Sequence, residues 1–192
     1  MAKVSSLKNM VVTLTVICLV SSAILGGVYA ITKNPIEQAK VLKTNAAIAK
    51  VVPKFDNDPS SEVFSKDVNG KSYKVYPAKS GSQIVGYAIE SYTSAGFGGR
   101  IVLMVGFNID GSINNTSVIS HNETPGLGDK MVEGKSNFSV QFKGKNPETF
   151  KLSVKKDGGD VDAITASTIS SRAFCDALNA AYKVFIECKN GQ

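Results

Sequence analysis

The longest hydrophobic segment of the chain lies near its N-terminus, at residues 9–32, where 24 consecutive positions carry no charge. Lys8 and Lys33 bracket this segment. As an α-helix it would be about 36 Å long, enough to cross a hydrocarbon core of about 30 Å. The pattern predicts a transmembrane helix at residues 9–32, preceded by a short cytoplasmic N-terminus at residues 1–8.

Three other structures are compatible with this hydrophobic segment. Val28-Tyr29-Ala30 resembles the cleavage site of a signal peptide, although the segment is longer than the usual apolar region of about 7–15 residues. A lipoprotein is disfavoured because bulky Ile17 precedes Cys18. A helix buried in a globular core has a similar composition. The flanking lysines do not decide the topology, since long domains cross the membrane largely regardless of nearby charge.

Residues 33–61 are predicted to form a stalk helix and a loop. Asn34-Pro35-Ile36-Glu37 is typical of a helix start, with a capping Asn, a proline at the first helical position and a Glu three residues after the cap. Apolar residues then recur at helical spacing to about residue 52. Two prolines with neighbouring Asp and Asn residues predict the loop at 53–61.

Residues 62–192 are predicted to form a single α+β domain with an antiparallel sheet and a C-terminal helix. Asn69-Gly70 and Asp110-Gly111 predict hairpin turns. Strands are expected at residues 83–92, 100–109 and 112–120, with shorter strands at 138–142 and 149–154. The final helix is expected at 169–185, where one apolar stripe is formed by Ala173, Phe174, Ala177, Leu178, Ala181, Val184 and Phe185.

The composition is that of a folded protein, with 43% hydrophobic and 20% charged residues. The net charge is +6, but the basic residues are spread along the chain, so nucleic-acid binding is disfavoured. His121 is the only histidine and no Cys-x-x-Cys occurs, which disfavours a metal site built by this chain alone. Cys175 and Cys188 would be about 20 Å apart along one helix, too far for a disulfide.

Small and hydroxyl-bearing residues cluster at 162–171, where the final helix begins. The free N–H groups and positive end of a helix suit a phosphate, and Thr168 is placed where a threonine could carry one covalently. The same hydroxyls are also common helix caps. A helix end stabilises an anion by about 0.3–2 kcal/mol, whereas micromolar binding needs about 8 kcal/mol. A pocket or a covalent bond must therefore retain the rest of such a ligand.

Two glycine-containing segments precede this helix. Gly96-Phe97-Gly98-Gly99 leads into a strand and lacks the context of a dinucleotide fingerprint. It predicts either a turn with positive φ or a close approach of the backbone to a ligand. Residues 123–128 read Glu-Thr-Pro-Gly-Leu-Gly and predict a loop with exposed amides. No pattern marks an activated nucleophile, so no catalytic residue is expected in the chain alone.

These segments, in this order, resemble the flavin-binding domain of the G subunit of Rnf complexes and of the C subunit of the sodium-pumping NADH:quinone reductase. The loop at 123–128 matches the family intact, and the Gly-Phe-Gly-Gly turn is similar. Residues 162–168 read Asp-Ala-Ile-Thr-Ala-Ser-Thr against the family's Asp-x-x-Ser-Gly-Ala-Thr. The resemblance spans about residues 10–186, and the shorter length is more similar to the Rnf subunit.

The resemblance implies that FMN is joined to Thr168 through a phosphoester, which a separate flavin transferase makes from FAD. Thr165, Ser167, Ser170 and Ser171 are expected to support the phosphate or to cap the helix. The loop expected to lie against the flavin comprises Glu123, Thr124, Pro125, Gly126, Leu127 and Gly128.

The sequence departs from the family pattern at two positions of the threonine motif. Ala166 replaces the usual glycine, which is tolerable only if the backbone there has negative φ. Ser167 replaces the usual alanine and adds a second hydroxyl beside Thr168, which remains the favoured acceptor.

The function implied by the resemblance is that of an electron-transfer subunit of an Rnf-type complex, which couples electron transfer between ferredoxin and NAD to Na⁺ or H⁺ transport. The implied partners are the other membrane subunits and the flavin transferase. The implied location is the bacterial inner membrane, crossed once, with the C-terminal domain on the outer face. Two alternatives remain: the quinone-reductase subunit, and an anchored extracytoplasmic binding domain without covalent flavin.

Overall fold

The computed structural model describes residues 6–191, so the first five residues of the predicted cytoplasmic segment 1–8, and residue 192, lie outside the described part. The chain folds as two compact units, one up to Leu42 and one from Lys43 onward. The predicted fold class is confirmed, since an apolar helix is followed by a five-stranded antiparallel sheet and a C-terminal helix.

The first helix, α1, spans Leu7–Val51 without a break and contains Pro35 in its interior. The predicted helix start at Asn34 is therefore wrong. A proline inside a helix removes one N–H from the ladder and crowds the carbonyl four residues earlier, at a cost of about 3 kcal/mol. The helix nevertheless continues through Pro35, and both the apolar segment before it and the alanine-containing segment after it favour a helix. The division into a membrane span at 9–32 and a stalk stays a prediction, because one helix covers both.

The part of α1 that belongs to the first unit is long and apolar enough to cross a membrane, and its most apolar window has no buried side chains. Leu14, Ile24 and Leu25 are among the large apolar residues that it exposes. A helix buried in a globular core would cover such side chains. That alternative is excluded for the described structure.

The second unit contains an antiparallel sheet in which neighbouring strands in sequence are neighbours in space. The strands are β1 Phe64–Val68, β2 Lys71–Ser80, β3 Gln83–Gly96, β4 Gly99–Asn108 and β5 Ile113–Ser120. The β1–β2 turn is the predicted one, with φ of 53° at Asn69 and 73° at Gly70. Gly111, in the turn before β5, also has positive φ, at 91°. The two predicted turns and the main strands are thus confirmed.

Helix α2, Thr168–Asn190, packs across β3 and β4 and covers one face of the sheet. All seven residues of its predicted apolar stripe are buried. The ring of Phe174 stacks on that of Phe142 at 5.2 Å and meets that of Phe138 edge-on, also at 5.2 Å. Each buried Phe contributes roughly 1.5–3 kcal/mol, so this packing fixes the helix whose first turn carries the candidate site.

The other face of the sheet is covered by the end of α1, where Ala47, Ile48 and Val51 are buried in a second, smaller cluster that also contains Met104. The side-chain amide of Asn114 donates to the Val51 carbonyl at 2.8 Å. A Cβ on Gly106 would lie 2.9 Å from the Val51 Cβ. The glycine in β4 therefore allows the end of the helix to touch the strand backbone.

Two predicted short strands are wrong. Residues 138–142 hold the 3₁₀ helix Ser139–Phe142, because Phe138 and Phe142 both face the core while Val140, between them, is exposed. Residues 149–154 form a loop that is hydrogen-bonded to the segment that follows it. The Lys151 N–H donates to the Asp160 carboxylate at 2.7 Å. Polar groups that a strand would have paired within the sheet are satisfied locally.

Candidate functional site

A cavity of about 360 Å³ opens beside the first turn of α2, a volume typical of small-molecule sites. Three segments line it: Phe97 in the β3–β4 turn, the loop that follows β5, and residues 166–170. The cavity thus brings together the three segments that the sequence analysis singled out.

Glycines in the β3–β4 turn allow the loop after β5 to approach closely. A Cβ on Gly98 would collide with the Asn122 carbonyl, and one on Gly96 would lie 2.6 Å from Glu123 Oε1. Gly99 adopts a φ of 99°, which favours glycine. The interpretation of this segment as a turn is therefore confirmed, and the close approach seen here is to the chain's own loop.

Glu123 is the buried residue that joins the three segments. Its side chain is 5% exposed and lines the cavity. Oε1 accepts a hydrogen bond from the Gly98 N–H at 2.9 Å, and Oε2 accepts one from the Ser170 hydroxyl. The Glu123 N–H donates to Nδ1 of His121 at 3.2 Å, which fixes the start of the loop.

The first turn of α2 presents to the cavity backbone donors that have no partner within the described part of the chain. Ser167 is the N-cap residue, and its side chain makes no capping hydrogen bond. The first backbone hydrogen bond of the helix runs from the Ser171 N–H to the Ser167 carbonyl at 3.0 Å, so the N–H groups of residues 168–170 precede it. Unpaired N–H groups at a helix start, aided by the helix dipole, attract anions.

Ala166 has a φ of 59°, so the expectation of negative φ at this position is wrong. It occupies the third position of a turn closed by a hydrogen bond from the Ser167 N–H to the Ile164 carbonyl at 3.0 Å. Since that turn directs the chain into α2, the left-handed conformation is retained although alanine replaces glycine. The cost of this conformation for a residue with a Cβ is about 1–2 kcal/mol.

Most of the predicted site residues meet at this cavity. Those that line it are Glu123, Thr124, Leu127, Gly128, Ser167, Thr168 and Ser170. Pro125 and Gly126 belong to the same loop and are exposed outside the lining. Thr165 lines a neighbouring cavity with Lys130 and Gln141.

Ser171 stabilises the turn that precedes α2. It is fully buried, its hydroxyl accepts from the Ile164 N–H at 2.9 Å, and it donates to the Ser167 carbonyl at 3.0 Å. It therefore closes the turn before the helix and does not face the cavity.

Three lining residues were not predicted as site residues: Phe97, Ala166 and Ile169. Phe97 is 70% exposed and Ile169 is 48% exposed, and both stand at the cavity with Leu127, which is 42% exposed. Large apolar side chains left in water at a cavity mark a surface that a ligand or partner covers. The sequence signal that could have identified Phe97 and Ile169 is that each is a large apolar residue inside an otherwise polar or glycine-rich segment.

Next to the cavity, Asp129 is paired with Lys135, whereas Glu123 takes part in none of the ion pairs formed within residues 6–191. A hydrogen bond from Lys135 Nζ at 2.7 Å lowers the pKa of Asp129, which directly follows Gly128.

On α2, burial raises the pKa of the Cys175 thiol to about 12. Over residues 6–191, no group of three or more His, Cys, Asp or Glu side chains is arranged to hold a metal ion.

Comparison with known families agrees with this geometry. A family model described as an FMN-binding domain matches residues 96–183, which hold the turn, the loop and most of α2. The fold and site therefore define a flavin mononucleotide-binding domain.

Curated relatives match along almost the whole chain. The G subunit of the ion-translocating oxidoreductase complex of Erwinia tasmaniensis is 33% identical over 94% of this chain and 90% of its own length. The G subunits of Yersinia pestis and Escherichia coli K12 are 34% and 30% identical, over 88% of this chain and 86% of each relative. The chain belongs to the family formed by the G subunits of ion-translocating oxidoreductase complexes.

Family membership confirms the resemblance to the Rnf subunit, and the quinone-reductase alternative is not favoured. Family membership and the exposed apolar helix α1 together indicate a single-pass inner-membrane protein.

The cavity fits the parts of FMN. The unpaired N–H groups at residues 168–170 suit the phosphate, and the exposed Phe97, Leu127 and Ile169 suit a flat apolar ring system. The absence of a side chain at Gly128 keeps open the space beside Ser170, since a Cβ on Gly128 would meet the Ser170 hydroxyl.

Proposed function

We propose that this chain is the membrane-anchored electron-transfer subunit of an Rnf-type complex, and that it carries FMN through a phosphoester at Thr168. FMN supplies the redox chemistry when bound, as a group that accepts and releases electrons. The task of the chain is to hold it, to orient it and to limit its contact with water. The observation that carries the proposal is the position of Thr168, in a cavity at the start of a helix.

Thr168 is a better acceptor than Ser167 because of its accessibility. Both residues line the cavity, but Ser167 is buried while Thr168 is half-buried. A transferase must reach the hydroxyl that it modifies. The Thr168 hydroxyl has no hydrogen-bond partner among the described residues, so it is free to react.

A covalent bond agrees with the energetics of the site. The helix start contributes about 0.3–2 kcal/mol toward an anion, far below the roughly 8 kcal/mol of micromolar binding. The cavity is also open enough to leave Phe97 mostly exposed. A phosphoester retains the cofactor without demanding a deep pocket.

Ester formation balances with FAD as the donor. The Thr168 oxygen attacks the flavin-side phosphorus, the pyrophosphate P–O bond breaks, AMP leaves, and the hydroxyl proton is released. The separate transferase would supply the base for this step. This division of labour is consistent with the absence of a hydrogen-bonded base at the Thr168 hydroxyl in the described structure.

The loop at 123–128 would hold the ring system of the flavin. Leu127 offers an apolar contact, and the Thr124 hydroxyl, which has no partner among the described residues, offers a hydrogen-bond donor. Ser170, two residues after Thr168 on the same helical turn, would hold the loop through Glu123.

The partners that follow from this function are the other membrane subunits of the Rnf complex, together with the flavin transferase during maturation. The proposed location of the FMN-binding domain is the outer face of the inner membrane, as the family resemblance implies. An electron carrier on that face serves a complex that couples electron transfer between ferredoxin and NAD to ion transport.

The experiment is in-gel flavin fluorescence of the full chain after denaturing electrophoresis, with the flavin transferase co-expressed. Wild-type protein gives a fluorescent band, and Thr168→Val removes it while keeping the shape of the side chain. Ser167→Ala is the matched control and keeps the band. Fluorescence at the wild-type level in Thr168→Val would refute the acceptor assignment.

A further inference from the structure

The carboxylate of Glu123 occupies a space that two glycines keep open, and a third glycine leaves room for the Glu123 backbone. A Cβ on Gly96 would lie 2.6 Å from its Oε1, and one on Gly128 would lie 2.6 Å from its Oε2. A Cβ on Gly98 would lie 3.0 Å from the Glu123 backbone nitrogen. Gly96 and Gly128 lie on different segments, so the surrounding structure is shaped to this one side chain.

Both oxygens of Glu123 act as hydrogen-bond acceptors. Oε1 accepts from the backbone N–H of Gly98 and Oε2 from the hydroxyl of Ser170, which is the pattern of an ionised carboxylate. None of the ion pairs formed within residues 6–191 involves Glu123. A buried negative charge with neutral donors and no cationic partner keeps a strong local field.

The carboxylate shares its cavity with the proposed flavin attachment site. Glu123, Thr168 and Ser170 line the same cavity, and Ser170 is two residues beyond Thr168 on the same helical turn. Reduction of a flavin adds electrons to its ring system. A fixed negative charge in the same low-dielectric cavity opposes that addition, which lowers the reduction potential.

We infer that Glu123 is a positioning residue that also tunes the flavin: it locks the β3–β4 turn and the first helical turn of α2 around the cofactor, and its charge lowers the flavin reduction potential. This inference rests on the proposed function, since it requires FMN in this cavity. It assigns to Glu123 an electrostatic effect that a purely structural residue would not have.

The test is a redox titration of flavin absorbance in the full chain, purified in detergent after co-expression with the flavin transferase. Glu123→Gln keeps the shape and removes the charge. We expect a positive shift of at least tenfold in the reduction equilibrium constant, about 30 mV for a two-electron couple. Glu133→Gln is the matched control, because Glu133 is exposed and paired with Lys50, and it leaves the potential unchanged.

A second variant keeps the test decisive if Glu123→Gln fails to take up flavin. Ser170→Ala retains the carboxylate but removes a donor that disperses its charge, so we expect a negative shift. Intact mass, measured on every sample, separates the two proposals. A flavin-free wild type would contradict the proposed function. A loaded Glu123→Gln variant with unchanged potential, or a loaded Ser170→Ala variant without a negative shift, would overturn the inference about Glu123.

Discussion

Glu123 and Ser170 are 47 positions apart in the sequence, and their side chains share a buried hydrogen bond. The bond joins the loop after β5 to the first turn of α2, where Thr168 stands. The candidate site is therefore held together by the protein itself, before any cofactor is attached.

Replacing Ser170 by Ala is expected to destabilise the flavin-free protein by about 1–3 kcal/mol, because a buried carboxylate oxygen loses its donor. The measurement is chemical denaturation of the full chain in detergent, followed by circular dichroism. Ser120→Ala, at the exposed end of β5, is the control and changes the free energy of unfolding by less than about 0.5 kcal/mol. Equal stabilities of the two variants would contradict a structural role for this bond.

Phe97 is mostly exposed in the described structure, so Phe97→Ser is expected to leave the flavin-free protein within about 0.5 kcal/mol of wild type. In the flavin-loaded protein, the same change removes an apolar contact and opens the cavity to water. Iodide quenching of flavin fluorescence should therefore increase. Val140→Ser, a comparably exposed position that does not line the cavity, is the control. Unchanged quenching in Phe97→Ser would show that Phe97 does not shield the flavin.

Ala166 adopts a left-handed conformation that glycine would accept freely. Ala166→Gly is expected to stabilise the protein by roughly 0.5–1 kcal/mol, the relief of about 1–2 kcal/mol of strain less about 0.4–1 kcal/mol of added entropy in the unfolded chain. The free energy of unfolding is measured by denaturation. Ala163→Gly, where φ is not positive, should lower stability instead. A loss of stability in Ala166→Gly would contradict this account.

The Cys175 thiol is buried, and its pKa is raised to about 12. Since the thiolate is the reactive form, we expect Cys175 to resist alkylation by iodoacetamide at pH 8 in the native protein and to react fully after unfolding. Peptide mass spectrometry after timed alkylation measures this. Rapid native labelling at pH 8 would contradict the burial of the thiol.

Much of the fold was predictable because its signals are local. Asn69-Gly70 specifies a turn with positive φ, and the apolar stripe of α2 has helical spacing, so neither depends on distant residues. The two false strands illustrate the opposite case. Phe138 and Phe142 suit a strand or a short helix, and the choice is made by the Phe174 ring against which both pack.

The candidate site was predictable where a segment carries its own chemistry, as the loop at 123–128 and the helix start at Thr168 do. What the sequence did not reveal is how the segments meet. The pairing of Glu123 with Ser170 and the exposure of Phe97 and Ile169 at one cavity depend on the turn between β3 and β4. The φ of Ala166 was predicted wrongly because the turn geometry overrode the preference of alanine.

The most direct test of the central claim is the intact mass of the full chain produced with the flavin transferase. We predict that wild-type protein carries one FMN less one water, that Ser167→Ala carries the same adduct, and that Thr168→Val carries none. An unmodified wild-type mass from cells with an active transferase, or an adduct on Thr168→Val, would contradict the account.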